Sequence, residues 1–117
     1  MPYKNKNFFH SLKNAIDGLV YIFISQKNFK ILILITILVF LTAYFFQFSL
    51  SKWLILIFLC CFILVLEIVN TIIETILDHI FENKIDPHAK IIKDSAAGMV
   101  LLASIFSLII GFLIFFF

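Results

Sequence analysis

Arginine is absent from this chain of 117 residues, and all nine basic residues are lysines. Without a guanidinium group, the protein has no bidentate fork for phosphate, so any phosphate would be bound by lysine, backbone N–H groups or a metal ion. Charged residues make up only 14% of the chain, and the net charge is +2. This small positive charge gives no electrostatic reason to expect a nucleic-acid partner.

Several familiar motifs are also absent. The chain has three glycines and contains no P-loop, no Gly-rich phosphate loop and no HRD or DFG motif, which excludes a soluble kinase fold. The two cysteines, Cys60 and Cys61, are adjacent, and neighbouring side chains on a helix diverge too far for a disulfide. The three histidines are scattered without zinc-site spacing. We expect them to be solvated or interfacial.

Hydrophobic residues, in contrast, make up 63% of the chain, and the mean hydropathy is +1.15. A soluble protein of this size cannot bury so much apolar surface. We predict an all-α integral membrane protein that forms one domain over residues 1–117. Its membrane helices are expected at 31–48, 53–80 and 94–117. A charged loop is expected over 81–93, where Pro87 interrupts helical structure.

The first 30 residues are expected to form a cytoplasmic or interfacial segment. Apolar residues recur at helical spacing from Phe8 to Ile24, which predicts an amphipathic helix at the membrane surface. Lysines indicate the orientation: five precede the first span, three lie between the second and third spans, and only Lys52 is on the opposite side. By the positive-inside rule, the N-terminus is cytoplasmic and the C-terminus is extracytoplasmic.

The end of the second span carries an unusual set of polar residues, within the sequence LEIVNTIIETILD. At about 100° per residue, Glu74 and Asp78 each lie within about 20° of Glu67, one on either side, and Asn70 and Thr71 flank them. Ionisable groups at membrane depth usually face a bundle interior or a cavity. A neutral packing contact is an alternative, but three carboxylates and an amide are a costly set to bury for packing alone.

Carboxylates near a lysine-rich loop suit the binding of Mg²⁺ against nucleotide phosphates, and a deeper carboxylate suits proton transfer from a hydroxyl in the membrane. Phosphoryl transfer requires little beyond positioning and charge neutralisation. Intramembrane carboxylates also serve proton paths, so a proton- or ion-conducting oligomer is the rival hypothesis. The adjacent Lys93 and Asp94 favour a nucleotide site, because a proton path does not need them.

The sequence EIVNTIIETILD at 67–78, followed by AKIIKDSAAG at 89–98, resembles the small prokaryotic diacylglycerol kinase family, which includes undecaprenol kinases. The resemblance covers nearly the whole chain. It implies a homotrimer of the bacterial cytoplasmic (inner) membrane, with sites between subunits, that transfers the γ-phosphate of ATP to a lipid alcohol with Mg²⁺ as cofactor.

The resemblance also implies residue roles. Glu67 would be the catalytic base, and Glu74 would bind Mg²⁺. Asn70 and Asp78 would support the site or the substrate. The ATP-binding positions implied are Asn14, Gln26, Glu74, Lys93 and Asp94.

Gln26 is the main departure, since the family has a second metal-binding glutamate there. A neutral amide oxygen should weaken Mg²⁺ binding. Three hypotheses follow: a weaker but working kinase, a kinase in which a carboxylate such as Asp17 compensates, or an inactive relative.

The loop between Asp78 and Lys93 is one residue longer than is usual in the family, so no roles are assigned to residues 82–86. The sequence PHAKIIKD favours a polyprenol over diacylglycerol as the lipid, although no lipid pocket is recognisable in the spans.

Overall fold

The structure of the protein is a computed structural model, which describes residues 7–117. The N-terminal lysines Lys4 and Lys6, used above for the orientation, lie outside this range. The described residues form four helices joined by short connections, in the order α1 (Phe8–Ser25), α2 (Lys27–Phe45), α3 (Leu50–Ile80) and α4 (Pro87–Phe116). Helices α2, α3 and α4 are each long and apolar enough to cross a membrane. The predicted all-α membrane fold with three spanning helices is therefore confirmed.

Helices α1 and α2 are separated by a single residue. Gln26 has an extended backbone (φ −107°, ψ 111°), and its N–H caps α1 by donating to the Ile22 carbonyl. Helix α2 therefore begins four residues before the predicted start at 31 and ends at Phe45 rather than at 48. The lysines of its first turn are tolerated because long side chains can extend their charged ends towards water.

The start of α4 differs most from the sequence prediction. Residues 87–93 were expected to belong to a loop, but they form the first two turns of α4. Pro87 occupies a first-turn position, where its missing N–H costs nothing and its fixed φ suits the helix. Asp86 caps this end, since its Oδ1 accepts from the N–H groups of His88 (2.9 Å) and Ala89 (3.2 Å). Proline therefore starts the helix instead of breaking it, and α4 begins seven residues before position 94, where the third membrane helix was expected to start.

The helices pack in sequence: α1 against α2, α2 against α3, and α3 against α4, where the contact is most extensive. Small side chains allow the close α3–α4 approach, as is usual between membrane helices. On α4, Ala89 and Ala96 are both buried, and Leu77 is buried on α3. Most large apolar side chains are exposed, as expected for helices that face lipid.

Candidate functional site

The buried polar residues of α3 lie on one face, and the opposite face carries exposed apolar residues. Glu67 is 7% exposed and Asn70 is 8% exposed, and Thr71, the residue after Asn70, is also buried. Val65 and Ile76 on the opposite faces are exposed. This is the arrangement expected of ionisable groups at membrane depth, because lipid cannot solvate them.

Two threonines fix the backbone around these residues. The Thr71 hydroxyl donates to the Glu67 carbonyl oxygen (3.0 Å), and the Thr75 hydroxyl donates to the Thr71 carbonyl oxygen (2.8 Å). Both hydroxyls are thereby satisfied within the helix. Thr71 is buried and Thr75 is exposed, and neither hydroxyl competes for a ligand at Glu67.

Asn70 connects the deep part of the site with its shallower part. Its Nδ2 donates to Glu74 Oε1 at 3.5 Å, and Glu74 is only half-buried. Asn70 Oδ1 is buried and has no hydrogen-bond partner among residues 7–117. Buried polar atoms are nearly always paired, so this amide oxygen is an acceptor available to a donor or a cation.

An ion pair joins the shallow end of the site to α4. Lys93 Nζ donates to Asp78 Oδ1, and both side chains are about 40% exposed (38% and 42%). Asp94, the next residue, instead pairs with Lys90 at 2.5 Å on an exposed face of α4. The structure thus brings Lys93 to the polar face of α3 but directs Asp94 away from it.

Gln26, one of the two candidate residues of the N-terminal region, makes no side-chain hydrogen bond to α3 within residues 7–117. Its Nε2 donates weakly to Ser25 Oγ at 3.5 Å, which is its one side-chain hydrogen bond within the described part of the chain. Asn14 lies on an exposed side of α1. The residues that the structure does bring together are Glu67, Asn70, Glu74, Asp78 and Lys93.

The donor set can be compared with the needs of a divalent cation. Residues 7–117 contain no group of three or more His, Cys, Asp or Glu side chains able to hold a metal ion. Mg²⁺, however, usually takes one or two carboxylates together with phosphate oxygens, rather than an all-protein cage. The Glu74 carboxylate and the unpaired Asn70 Oδ1 fit that requirement; a zinc-type site would not fit.

Sequence reasoning missed two features of this region. One is the direct Asp78–Lys93 contact, which becomes visible only when residues 87–93 are helical. The other is a cavity of about 650 Å³ between α2, α3 and α4, where no pocket was recognised from the sequence. Its small wall residues Cys60, Ser104, Ser107 and Gly111 were the available signal, since small side chains on facing helices leave space.

These features define an integral membrane protein whose inward-facing carboxylates lead from membrane depth to an ion pair at the helix ends. The sequence profile of the family "Prokaryotic diacylglycerol kinase" matches residues 13–115. The chain therefore belongs to the prokaryotic diacylglycerol kinase family, a family of lipid phosphotransferases, which confirms the identification made from residues 67–78 and 89–98.

Two relatives illustrate the range of the family. The chain is 33% identical over 105 residues to the diacylglycerol kinase of Synechocystis. The aligned residues cover 90% of this chain and 60% of that protein. It is also 33% identical over 108 residues to the undecaprenol kinase of Bacillus subtilis, covering 92% of this chain and 87% of that protein. The chain thus spans about 60% of the length of the Synechocystis relative. No solved structure is significantly similar to it.

Proposed function

We propose that the protein transfers the γ-phosphate of ATP to the hydroxyl of a membrane lipid alcohol, in a Mg²⁺-dependent reaction at the cytoplasmic face of a bacterial inner membrane. The observation that carries this proposal is the burial of Glu67 and Asn70 in a spanning helix that ends beside an ion-paired lysine. The relatives named as diacylglycerol kinase and undecaprenol kinase support a lipid alcohol as the acceptor.

The length of α3 explains how two unlike substrates can meet. Glu67 and Asp78 are separated by 11 residues, which corresponds to about 16 Å along a helix. A lipid hydroxyl can therefore reach the Glu67 end from within the bilayer, while ATP approaches the Asp78–Lys93 end from water. The lysine distribution supports a cytoplasmic location for the latter end, where ATP is available.

Glu67 is the proposed general base. Its carboxylate accepts the proton of the lipid hydroxyl while the hydroxyl oxygen forms a bond to the γ-phosphorus. The bond from the γ-phosphorus to the β–γ bridging oxygen breaks, and ADP leaves. Because Glu67 is buried, water has little access to compete with the lipid hydroxyl as the acceptor of phosphate.

Glu74 and Asn70 are the proposed ligands of Mg²⁺, which neutralises the phosphate charge when it is bound. The Asn70 amide holds Glu74 in place through the hydrogen bond at 3.5 Å. Its buried Oδ1 supplies a neutral oxygen from the same side chain. Asn70 thereby couples the position of Glu74 to the deep part of the site.

Lys93 is the proposed phosphate-binding cation, with Asp78 holding its side chain in position until the nucleotide arrives. A lysine ammonium binds phosphate as a point charge, which suits a chain without arginine. Asn14 and Gln26 complete the proposed nucleotide site, and Asp94, which the structure directs away from α3, is proposed to contact the nucleotide from the exposed face of α4. We propose that Asn14 and Gln26 act from a neighbouring subunit of a homotrimer, with α1 lying amphipathically on the membrane surface.

Gln26 leads us to propose a working kinase with weakened Mg²⁺ binding. A compensating role of Asp17 and an inactive, non-enzymatic membrane oligomer are the alternatives.

The proposal is tested by measuring the transfer of labelled γ-phosphate from ATP in the presence of Mg²⁺, with undecaprenol and diacylglycerol offered in parallel. Glu67→Gln should reduce labelling by about 10²–10⁴-fold, since it removes only the base. Gln26→Glu should increase the affinity for Mg²⁺.

Each outcome of this experiment separates the alternatives. Labelled lipid from the wild type but not from Glu67→Gln supports the kinase and identifies the better acceptor. Labelling only after Gln26→Glu would identify a family scaffold that lost its activity at one position. If neither protein labels either lipid, the kinase proposal fails and the non-enzymatic oligomer is favoured. Loss of the remaining activity in Asp17→Asn would assign the compensating role to Asp17.

A further inference from the structure

The cavity between α2, α3 and α4 is not used by the phosphate-transfer chemistry described above. It has a volume of about 650 Å³, within the range of sites that hold small molecules. Its walls are formed almost entirely by aliphatic and aromatic side chains, and its few polar wall residues are the small Thr36, Cys60, Ser104 and Ser107. A space of this kind within spanning helices excludes ions and favours hydrocarbon.

The Asp78–Lys93 ion pair fixes the depth of the cavity relative to Glu67. Glu67 lies 11 residues before Asp78, and Ser104 lies 11 residues after Lys93. Because α3 and α4 are antiparallel neighbours, equal steps from the ion pair reach equal depths. Ser104 lines the cavity, so the cavity begins at the depth of the proposed catalytic base.

From this level the cavity extends away from the ion pair. Its α4 wall runs from Ser104 to Phe116, 12 residues along the helix, or about 18 Å. Its α3 wall runs from Leu64 to Leu56. The cavity is therefore elongated along the membrane normal, parallel to the direction in which a lipid chain leaves its head group.

We infer that this cavity binds the hydrocarbon chain of a polyprenol whose hydroxyl lies at Glu67; this inference rests on the proposed lipid-kinase function. Continuity with the site supports this occupant, because Leu64 of the cavity wall lies one helical turn from Glu67. A polyprenol carries one chain, and a single elongated cavity accommodates the isoprene units of that chain that are nearest to the hydroxyl. Diacylglycerol would leave its second chain outside this cavity.

Two wall residues at one depth allow the inference to be tested. Cys60 lies 18 residues before Asp78 and Gly111 lies 18 residues after Lys93, so they face the cavity from α3 and α4 at about 10 Å beyond Glu67. A Cβ atom at Gly111 would meet no atom within 4 Å, so a larger side chain there adds volume without a backbone clash. Cys61, next to Cys60, is exposed and does not line the cavity.

The variants Cys60→Phe and Gly111→Leu fill the cavity, and Cys61→Phe is the matched control. We expect the KM for undecaprenol to increase by about tenfold or more in both filled variants, since each methylene group kept out of an apolar site weakens binding about fourfold. A short isoprenoid alcohol that does not reach Gly111 should be phosphorylated with unchanged kcat and KM. Cys61→Phe should match the wild type for both alcohols.

Other outcomes would overturn the inference. If both filled variants keep the wild-type KM for undecaprenol while phosphorylating it, the chain binds elsewhere. If only the KM for diacylglycerol increases, an acyl chain is the occupant. If cross-linking shows that the filled variants change their oligomeric state and activity on the short alcohol is lost, a second copy of this chain packs into the cavity.

A binding measurement separates failure of this inference from failure of the proposed function. Should the wild type phosphorylate no alcohol, retention of labelled undecaprenol by the purified protein still tests the cavity. Retention that is lost in Cys60→Phe and kept in Cys61→Phe would support the cavity although the kinase proposal had failed. Equal retention by both variants would overturn the cavity.

Discussion

The two halves of the α3–α4 pair pack differently within the membrane. The loop-side half, between residues 81–86 and the level of Glu67, buries polar groups and is crossed by the Asp78–Lys93 ion pair. The far-side half, beyond Glu67, contains the apolar cavity and ends in an aromatic cluster formed by Phe48, Trp53 and Phe115.

The difference between the halves follows from side-chain size. Lipid tails are as apolar as leucine, so helices in a membrane associate through close packing and polar contacts rather than through the hydrophobic effect. Ala89 and Ala96 are buried in the loop-side half and allow α3 and α4 to shield carboxylates. In the far-side half, the small residues Cys60 and Gly111 face each other across a gap, which large aromatic side chains close only at the end.

The largest effect that separates the halves concerns ligand binding at Glu74. ATP with Mg²⁺ should raise the melting temperature of the wild type, because a ligand that binds only the native state stabilises it, by about 2.7 kcal/mol at 100 times Kd. Glu74→Ala should abolish this increase. Thermal unfolding in detergent measures both, with Glu82→Ala in the exposed loop as the control. Stabilisation that survives Glu74→Ala would contradict the assignment of Glu74 to the metal.

A smaller effect is expected at the ion pair. Lys93→Met should lower the rate of phosphate transfer by about tenfold or more, since it removes a charge-assisted phosphate contact. The same change should cost at most about 1 kcal/mol of stability, because both partners are partly exposed. A double-mutant cycle with Asp78→Asn measures the coupling between them. Lys84→Met, in an exposed pair with Glu82 (3.8 Å), serves as the control, and equal activity losses at Lys84 and Lys93 would argue against a specific role.

The smallest effect is expected in the far-side half. Phe48 contacts Phe115 (ring centroids 4.5 Å apart) and Trp53 (6.1 Å), and Lys52 Nζ lies 5.5 Å from its ring centroid. Phe48→Leu should cost about 1 kcal/mol of unfolding free energy and leave phosphate transfer unchanged. Phe106→Leu, on an exposed face of α4, should cost less. Loss of activity in Phe48→Leu would show that the aromatic cluster, and not only the cavity, contributes to phosphate transfer.

Much of the fold was predictable because membrane helices are specified by local composition. Three apolar segments predicted three spanning helices, and the structure contains them as α2, α3 and α4. The errors lie at boundaries, where capping competes with composition. Charged residues and Pro87 indicated a loop, but Asp86 caps the helix and Pro87 begins it, so α4 starts seven residues earlier than predicted.

The candidate site was only partly predictable. Helical periodicity alone placed Glu67, Asn70, Glu74 and Asp78 on one face of α3, since residues of one helix have fixed angular relations. Periodicity does not specify what that face meets. The partner of Asp78 on α4, the different direction of Asp94, and the position of Gln26 in the break between α1 and α2 depend on contacts between helices or on capping.

The sequence by itself determined the membrane class, the number of spans and the polar face of α3, because hydropathy and helical spacing are properties of single segments. Only the tertiary structure decided that Lys93 reaches Asp78, that Asn70 Oδ1 is buried without a partner among the described residues, and that an apolar cavity begins at the depth of Glu67. These features arise between α2, α3 and α4, and the register of antiparallel helices is set by packing and by one ion pair rather than by any one helix.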